Sequence, residues 1–146
     1  ARAAYLAGRS HLARQEPDTA LPWFERSLEL NSSSQIAPEV LFYMGDTLTE
    51  LDRFDEAILR FDQVIREYPE SYLVAAAMGR IGDCQYTLGE NDPERYVEAL
   101  NTYRQVQEST GTPLELQLQA MYKTGRVLTA MERPEEALPL KALLKI

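Results

Sequence analysis

Four glycines, Gly8, Gly45, Gly82 and Gly125, recur along the chain at intervals of 37, 37 and 43 residues. Each is followed by an alanine: Ala20, Ala57, Ala99 and Ala137. The interval is twelve residues in three units and seventeen in the third, where ENDPER (90–95) adds about one helical turn. A bulky residue follows four further on (Phe24, Phe61, Tyr103), and the second unit closes at Pro69. Two hexapeptides fix the register: Pro17-Asp18-Thr19-Ala20-Leu21-Pro22 and Pro134-Glu135-Glu136-Ala137-Leu138-Pro139 share Pro, Ala, Leu and Pro at the same spacing. A period of this length marks a repeat array, in which each unit buries its apolar face only against its neighbours. Glycine inside a helix costs about 1 kcal/mol against alanine. Its recurrence therefore predicts places where another helix backbone comes close.

The apolar residues fall at spacings of three and four, never two, so helices are expected throughout and strands nowhere. The predicted helices run over 1–14, 18–30, 35–51, 55–67, about 71–88, 93–108, 114–131 and from about 134 onward. Pro22 and Pro38 are placed in first turns, where the missing N–H costs nothing. Asn31-Ser32-Ser33-Ser34 is read as a capped loop and Ser71 as an N-cap. Asp55-Glu56 and Glu135-Glu136 suit the positive ends of helix dipoles. Antiparallel hairpins with short connections are the expected packing solution.

Composition narrows the function classes. Formal charge is −8, from 23 acidic and 15 basic residues. That balance argues against nucleic acid and against an anionic membrane surface, both of which are bound through clustered Lys and Arg. One cysteine (Cys84) and one histidine (His11) leave no intrachain disulfide and no multi-ligand zinc pattern. No apolar run approaches the ~18 residues of a membrane span. No glycine-rich phosphate loop is present. His11 is read as a structural histidine and Cys84 as a small buried residue, since neither has a catalytic companion nearby. Neither cofactor nor metal is expected, and no enzymatic activity.

The succession of Gly, Ala twelve later, Phe or Tyr four later, then Pro resembles the tetratricopeptide repeat (TPR). The similarity covers the whole chain as a single domain of four units, at about 1–32, 35–69, 71–110 and 113–146. Unit two is the best match, through Leu41, Met44, Gly45, Leu48, Ala57, Phe61 and Pro69. Departures are Ala4 where the family often has Trp, the acidic turn in unit three, and Lys141 where an aromatic belongs. The resemblance implies an all-α fold, an alpha-alpha superhelix of about four antiparallel hairpins. The long repeat, with first helices opening in Pro-Glu-Ser (69–71) or Ser-Gln-Ile-Ala-Pro-Glu (34–39), is similar to bacterial envelope members. Examples are the periplasmic coordinator of the Tol-Pal system and outer-membrane assembly lipoproteins, so the periplasm or cell envelope is favoured over the cytoplasm. Because the chain starts inside a helical pattern, it is read as a fragment of a longer protein.

In this family the first helices of successive hairpins line a concave groove for a peptide or partner helix. The resemblance therefore implies a groove surface of Tyr5, Arg9, Phe42, Asp46, Asp83, Tyr86, Tyr122 and Arg126, with Gly79 in the same column as Tyr5, Phe42 and Tyr122. Aromatics flanked by mixed charges make a reasonable peptide platform. Some relatives grip a C-terminal carboxylate on these columns; here Asp46 and Asp83 would repel it, so that ligand is not expected. The leading expectation is a non-enzymatic scaffold that binds a protein or peptide during assembly of a larger complex. The competing one is a self-association or regulatory module of a multidomain protein. The apolar C-terminal segment, residues 134–146, is expected to be covered by further repeats or by a second copy.

Overall fold

The computed structural model describes residues 1–30 and 35–131. These form seven helices: α1 (Arg2–Ala13), α2 (Pro17–Leu30), α3 (Ala37–Glu50), α4 (Phe54–Glu67), α5 (Val74–Leu88), α6 (Glu94–Glu108) and α7 (Leu114–Ala130). No strand occurs among the described residues. The expectations for the serine loop at 31–34, and for the last helix with Ala137, Pro139 and Lys141, lie outside them. Two compact units divide the chain, residues 1–77 and 78 onward. The first holds the α1/α2 and α3/α4 hairpins; the second holds α6, α7 and most of α5.

Within each hairpin the repeat glycine faces the aromatic ring of its own second helix. A Cβ on Gly8 would lie 2.7 Å from the Phe24 ring. One on Gly45 would lie 2.5 Å from Phe61, and one on Gly82 2.5 Å from Tyr103. The sequence led us to expect a close backbone, and the structure corrects this: what fills the space is a ring. The fit explains why glycine is retained despite its helical cost. Phe24 and Phe61 are fully buried and Tyr103 is 2% exposed, and removing each such side chain from water stabilises by roughly 1.5–3 kcal/mol. The alanine column lies beside these rings, with Ala20, Ala57 and Ala99 all at 0% exposure. A larger residue there would push the two helices of its hairpin apart.

Two turns close by the same backbone device. After α1, Gln15 N–H donates to Leu12 O (3.0 Å) and Glu16 N–H to His11 O (2.9 Å). After α3, Asp52 N–H donates to Thr49 O (3.0 Å) and Arg53 N–H to Leu48 O (2.9 Å). This is the Schellman pattern, which requires a left-handed residue just past the helix. Gln15 (φ 62) and Asp52 (φ 58) supply it, although neither is glycine. The third connection, residues 89–93, is longer, and Gly89 does not take the left-handed form. The extra residues of unit three are spread over the helix ends and this connection, rather than added as one helical turn. Gly89 packs instead under the Tyr96 ring, which is 5.7 Å from Tyr86.

Proline placement differs in one instance. Pro38 lies at the start of α3 as expected. Pro22, however, is inside α2, five residues past its start at Pro17 and beyond the first turn. Ser71 Oγ accepts from the Leu73 N–H at 3.1 Å, just ahead of α5. Buried polar side chains are satisfied locally: Thr47 donates to Tyr43 O (2.7 Å), Thr124 to Ala120 O (2.8 Å) and Ser27 to Ala1 O (2.7 Å). Among the described residues no buried side-chain polar atom lacks a partner, as native packing demands.

The glycine fit predicts opposite outcomes at two helical glycines. Gly45→Ala forces a methyl group into the buried Phe61 ring and is expected to destabilise by about 1–3 kcal/mol. Gly79 has nothing within 4 Å of its Cβ position, so Gly79→Ala is expected to stabilise by up to about 1 kcal/mol. Urea unfolding followed by circular dichroism should separate the two. At the first turn, Gln15→Gly relieves a left-handed strain of about 1–2 kcal/mol at some cost in chain entropy. It should raise the urea midpoint modestly.

Candidate functional site

The expected site residues fall into two local arrangements, one in each compact unit. In the first unit, Glu39 stands in the opening turn of α3. It accepts from the Tyr5 hydroxyl (Oε2, 3.0 Å) and from the Tyr72 hydroxyl (Oε1, 3.3 Å). Arg9 lies one helical turn past Tyr5 and donates to its hydroxyl oxygen at 3.5 Å. Its guanidinium lies 4.6 Å from the centroid of the Tyr43 ring, within the range of a cation–π contact. Tyr43 in turn touches Tyr5, Phe24 and Phe42.

This arrangement buries two of the expected groove aromatics. Tyr5 is 3% exposed and Phe42 6%, the latter edge-on to Phe61 at 5.5 Å. Their rings serve the packing of the hairpins, and only the hydroxyl of Tyr5 takes part in the polar cluster. Asp46 is half-buried one turn beyond Phe42. Arg9 and Tyr72 are the exposed members, and Tyr72 was not expected from sequence.

The second unit brings three expected residues, Asp83, Tyr86 and Arg126, into one open cleft of about 350 Å³. Thr87, Tyr103 and Lys123 complete its lining. Asp83 accepts the Tyr103 hydroxyl proton on Oδ1 at 2.5 Å. The Lys123 ammonium lies 2.9 Å from Oδ1 and 3.1 Å from Oδ2. One carboxylate is therefore held by a phenol from α6 and an ammonium from α7. Arg126, one turn past Lys123, sits 5.3 Å from the centroid of the Tyr86 ring. Tyr122 is 54% exposed on the same helix but does not line the cleft.

Lys123 and Tyr103 were missed as site residues for different reasons. Tyr103 occupies the position that is Phe24 and Phe61 in the first two units. Its added hydroxyl was the available clue, because a buried phenol needs a partner. Lys123 pairs with a residue forty positions earlier, and no local pattern announces such a pair. His11 approaches Glu16 at 2.9 Å through Nδ1, and Cys84 is buried and in no disulfide. Among the described residues no helix is long and apolar enough to cross a membrane. Nor does any group of three or more His, Cys, Asp or Glu among them form a metal-binding set.

Burial, reinforced by the hydrogen bond to Glu39 and partly offset by Arg9, pushes the Tyr5 hydroxyl from 10.0 up to about 12. Burial and the adjacent Asp83 carboxylate push Tyr103 up much further. A pKa raised by folding means stabilisation that is complete below the unfolded value and lost as pH climbs through the folded one. Tyr5 should therefore contribute a loss of stability between pH 10.0 and about 12. Tyr5→Phe is expected to shift the alkaline limb of a pH–stability curve and to delete one late-titrating phenol from the ultraviolet phenolate spectrum.

Comparison with known proteins adds to the geometry. Residues 39–71, spanning α3, α4 and the turn after them, match the tetratricopeptide repeat family. A comparison with curated protein sequences gives no match. Among solved structures, a Podospora anserina putative kinesin light chain with nearly identical TPR-like repeats superposes with a TM-score of 0.78 at 13% identity. That match covers 97% of this chain and 71% of the other. MamA AMB-1 gives a TM-score of 0.68 at 19% identity, over 95% of this chain and 68% of that one. MamA MSR-1 gives 0.67 at 19% identity, over 94% and 70%. The chain thus carries a tetratricopeptide repeat at residues 39–71, within an all-α fold of TPR-like helical hairpins.

Proposed function

We propose that this chain is a non-catalytic docking module that holds a protein or peptide segment against the first helices of its hairpins, during assembly of a larger complex. The observation that carries the reading is the cleft of the second unit. It is open, Tyr86 and Tyr103 are in its lining, and its charged groups are held by neighbours rather than aimed at a reacting centre. Fixed aromatic and arginine side chains at a concavity are what partner recognition uses. The match of residues 39–71 to a repeat family whose domains bind protein partners supports the same conclusion. Catalysis is disfavoured because the one histidine, His11, is bonded to Glu16 and the one cysteine, Cys84, is buried in the core.

In the first unit, the proposed docking residues are Arg9 and Tyr72, backed by Tyr5, Phe42 and Asp46. In the second they are Asp83, Tyr86, Tyr122 and Arg126. The glycine intervals of 37 residues support a place in the long-repeat, bacterial-envelope branch of the family, and with it a periplasmic location. Fractionation of cells expressing the natural gene would decide the latter.

Because Tyr5 and Phe42 are buried, the exposed Tyr122 and the rim residue Arg126 are the cleaner probes. Panning a displayed peptide library on the protein should yield binders whose amide-shift footprint includes α5 and α7. Tyr122→Ser combined with Arg126→Gln should weaken them about tenfold or more with helicity unchanged. Binders that map elsewhere, or a double variant altered only in oligomeric state, would favour self-association instead.

A further inference from the structure

We infer that the cleft lined by Asp83, Tyr86, Tyr103, Lys123 and Arg126 is a subsite for one acidic side chain of the docked segment, with Arg126 as the gripping group. The inference rests on the docking reading above and specifies what the second unit recognises.

The sign of the cleft is the starting point. The whole chain carries a formal charge of −8, and Asp83 on its own would make this site acidic as well. The structure reverses that locally. Both Asp83 oxygens lie within hydrogen-bond reach of Lys123, and one also accepts from Tyr103. Aspartate and lysine cancel, the phenol is held neutral by burial, and Arg126 remains as the net charge of the lining. The repulsion of carboxylates expected from sequence at Asp83 is thereby removed.

Arg126 is also prepared for the role. Its guanidinium is set by the Tyr86 ring, 5.3 Å from centroid to Cζ, and Tyr86 is braced by Tyr96 at 5.7 Å. A guanidinium stacked by one face keeps the N–H donors at its edge available, in a planar fork that matches a carboxylate or phosphate. Among the described residues no carboxylate pairs with Arg126. An incoming anion would thus meet an ordered donor set without displacing a carboxylate of the described residues, and pre-ordering of this kind lowers the cost of binding. Tyr86 beside it offers ring surface to the apolar stem of the same side chain. Thr87, also in the lining, adds a hydroxyl.

Peptides from the unbiased library selection supply the test. Binders whose footprint covers Tyr86 and Arg126 should be enriched in Asp or Glu, and replacing that residue by Asn or Gln in a synthetic copy should weaken binding about tenfold or more. Arg126→Gln should abolish the difference between the acidic and amide peptides, while Arg126→Lys should retain part of it. Lys123→Met leaves Asp83 and Arg126 to cancel in the lining and should shrink the preference for the acidic peptide; circular dichroism reports whether that variant keeps its helicity. The shared chemistry is a side-chain anion, so a phosphoserine copy is run beside the glutamate one. Tighter phosphoserine binding assigns a phosphate source, and equal or weaker binding assigns a carboxylate. Binders in the cleft that tolerate the amide replacement would overturn the acidic subsite and leave the docking reading intact. Absence of any binder mapping to the cleft would overturn both.

Discussion

The hairpins depend on a steric pairing between a residue with no side chain and one with a large flat one. Gly8, Gly45 and Gly82 let Phe24, Phe61 and Tyr103 lie against the opposing helix at a separation that any Cβ would prevent. The neighbouring alanines then bury completely. In a single-core domain one misfit can be shared among many neighbours. Here each unit leans only on those beside it, so the same small-against-large fit has to be built anew in every hairpin. That requirement explains why the pattern recurs so visibly.

One substitution within this pattern links the packing to the cleft. Where two units use phenylalanine, the third uses Tyr103, and its extra oxygen reaches Asp83 at the edge of the cleft. The residue that closes the hairpin core thereby also fixes a charged group at the surface. Lys123 completes the neutralisation from α7. Arg9 and Arg126, each directly after a repeat glycine, rest on tyrosine rings of neighbouring helices. Identical places in the repeat thus hold arginines stiffened in the same way, each within its own compact unit.

Much of the fold was legible because its determinants are periodic and local. The glycine and alanine columns, the seven described helices and the tight turn at Asp52 follow from spacing alone. The ring as the partner of each glycine was hidden in plain view, since Phe24 and Phe61 were part of the same pattern but not connected to it. The left-handed Gln15 carried no signal, because glutamine is not a residue that turn chemistry singles out. Pro22 misled because it stands four residues past even the expected start at 18, already beyond the first turn. The site was less readable. A helix column says which residues share a face, but not how deep a neighbouring helix covers them, so Tyr5 and Phe42 could not be told from Tyr122. Partners such as Glu39 with Tyr5, or Lys123 with Asp83, come from different hairpins and leave no trace in local spacing.

The distance along the chain between each glycine and its ring has a kinetic side. Gly8 finds Phe24 sixteen residues later, Gly45 finds Phe61 sixteen later, and Gly82 finds Tyr103 twenty-one later. These are short loops to close, and chains dominated by such near-neighbour encounters cross their folding barrier quickly. A ribosome emitting this polypeptide would release each glycine–ring pair as a finished set before the next appeared. Hairpins could therefore form in order of synthesis, and within the first compact unit α1 and α2 would offer α3 a ready surface to nucleate upon.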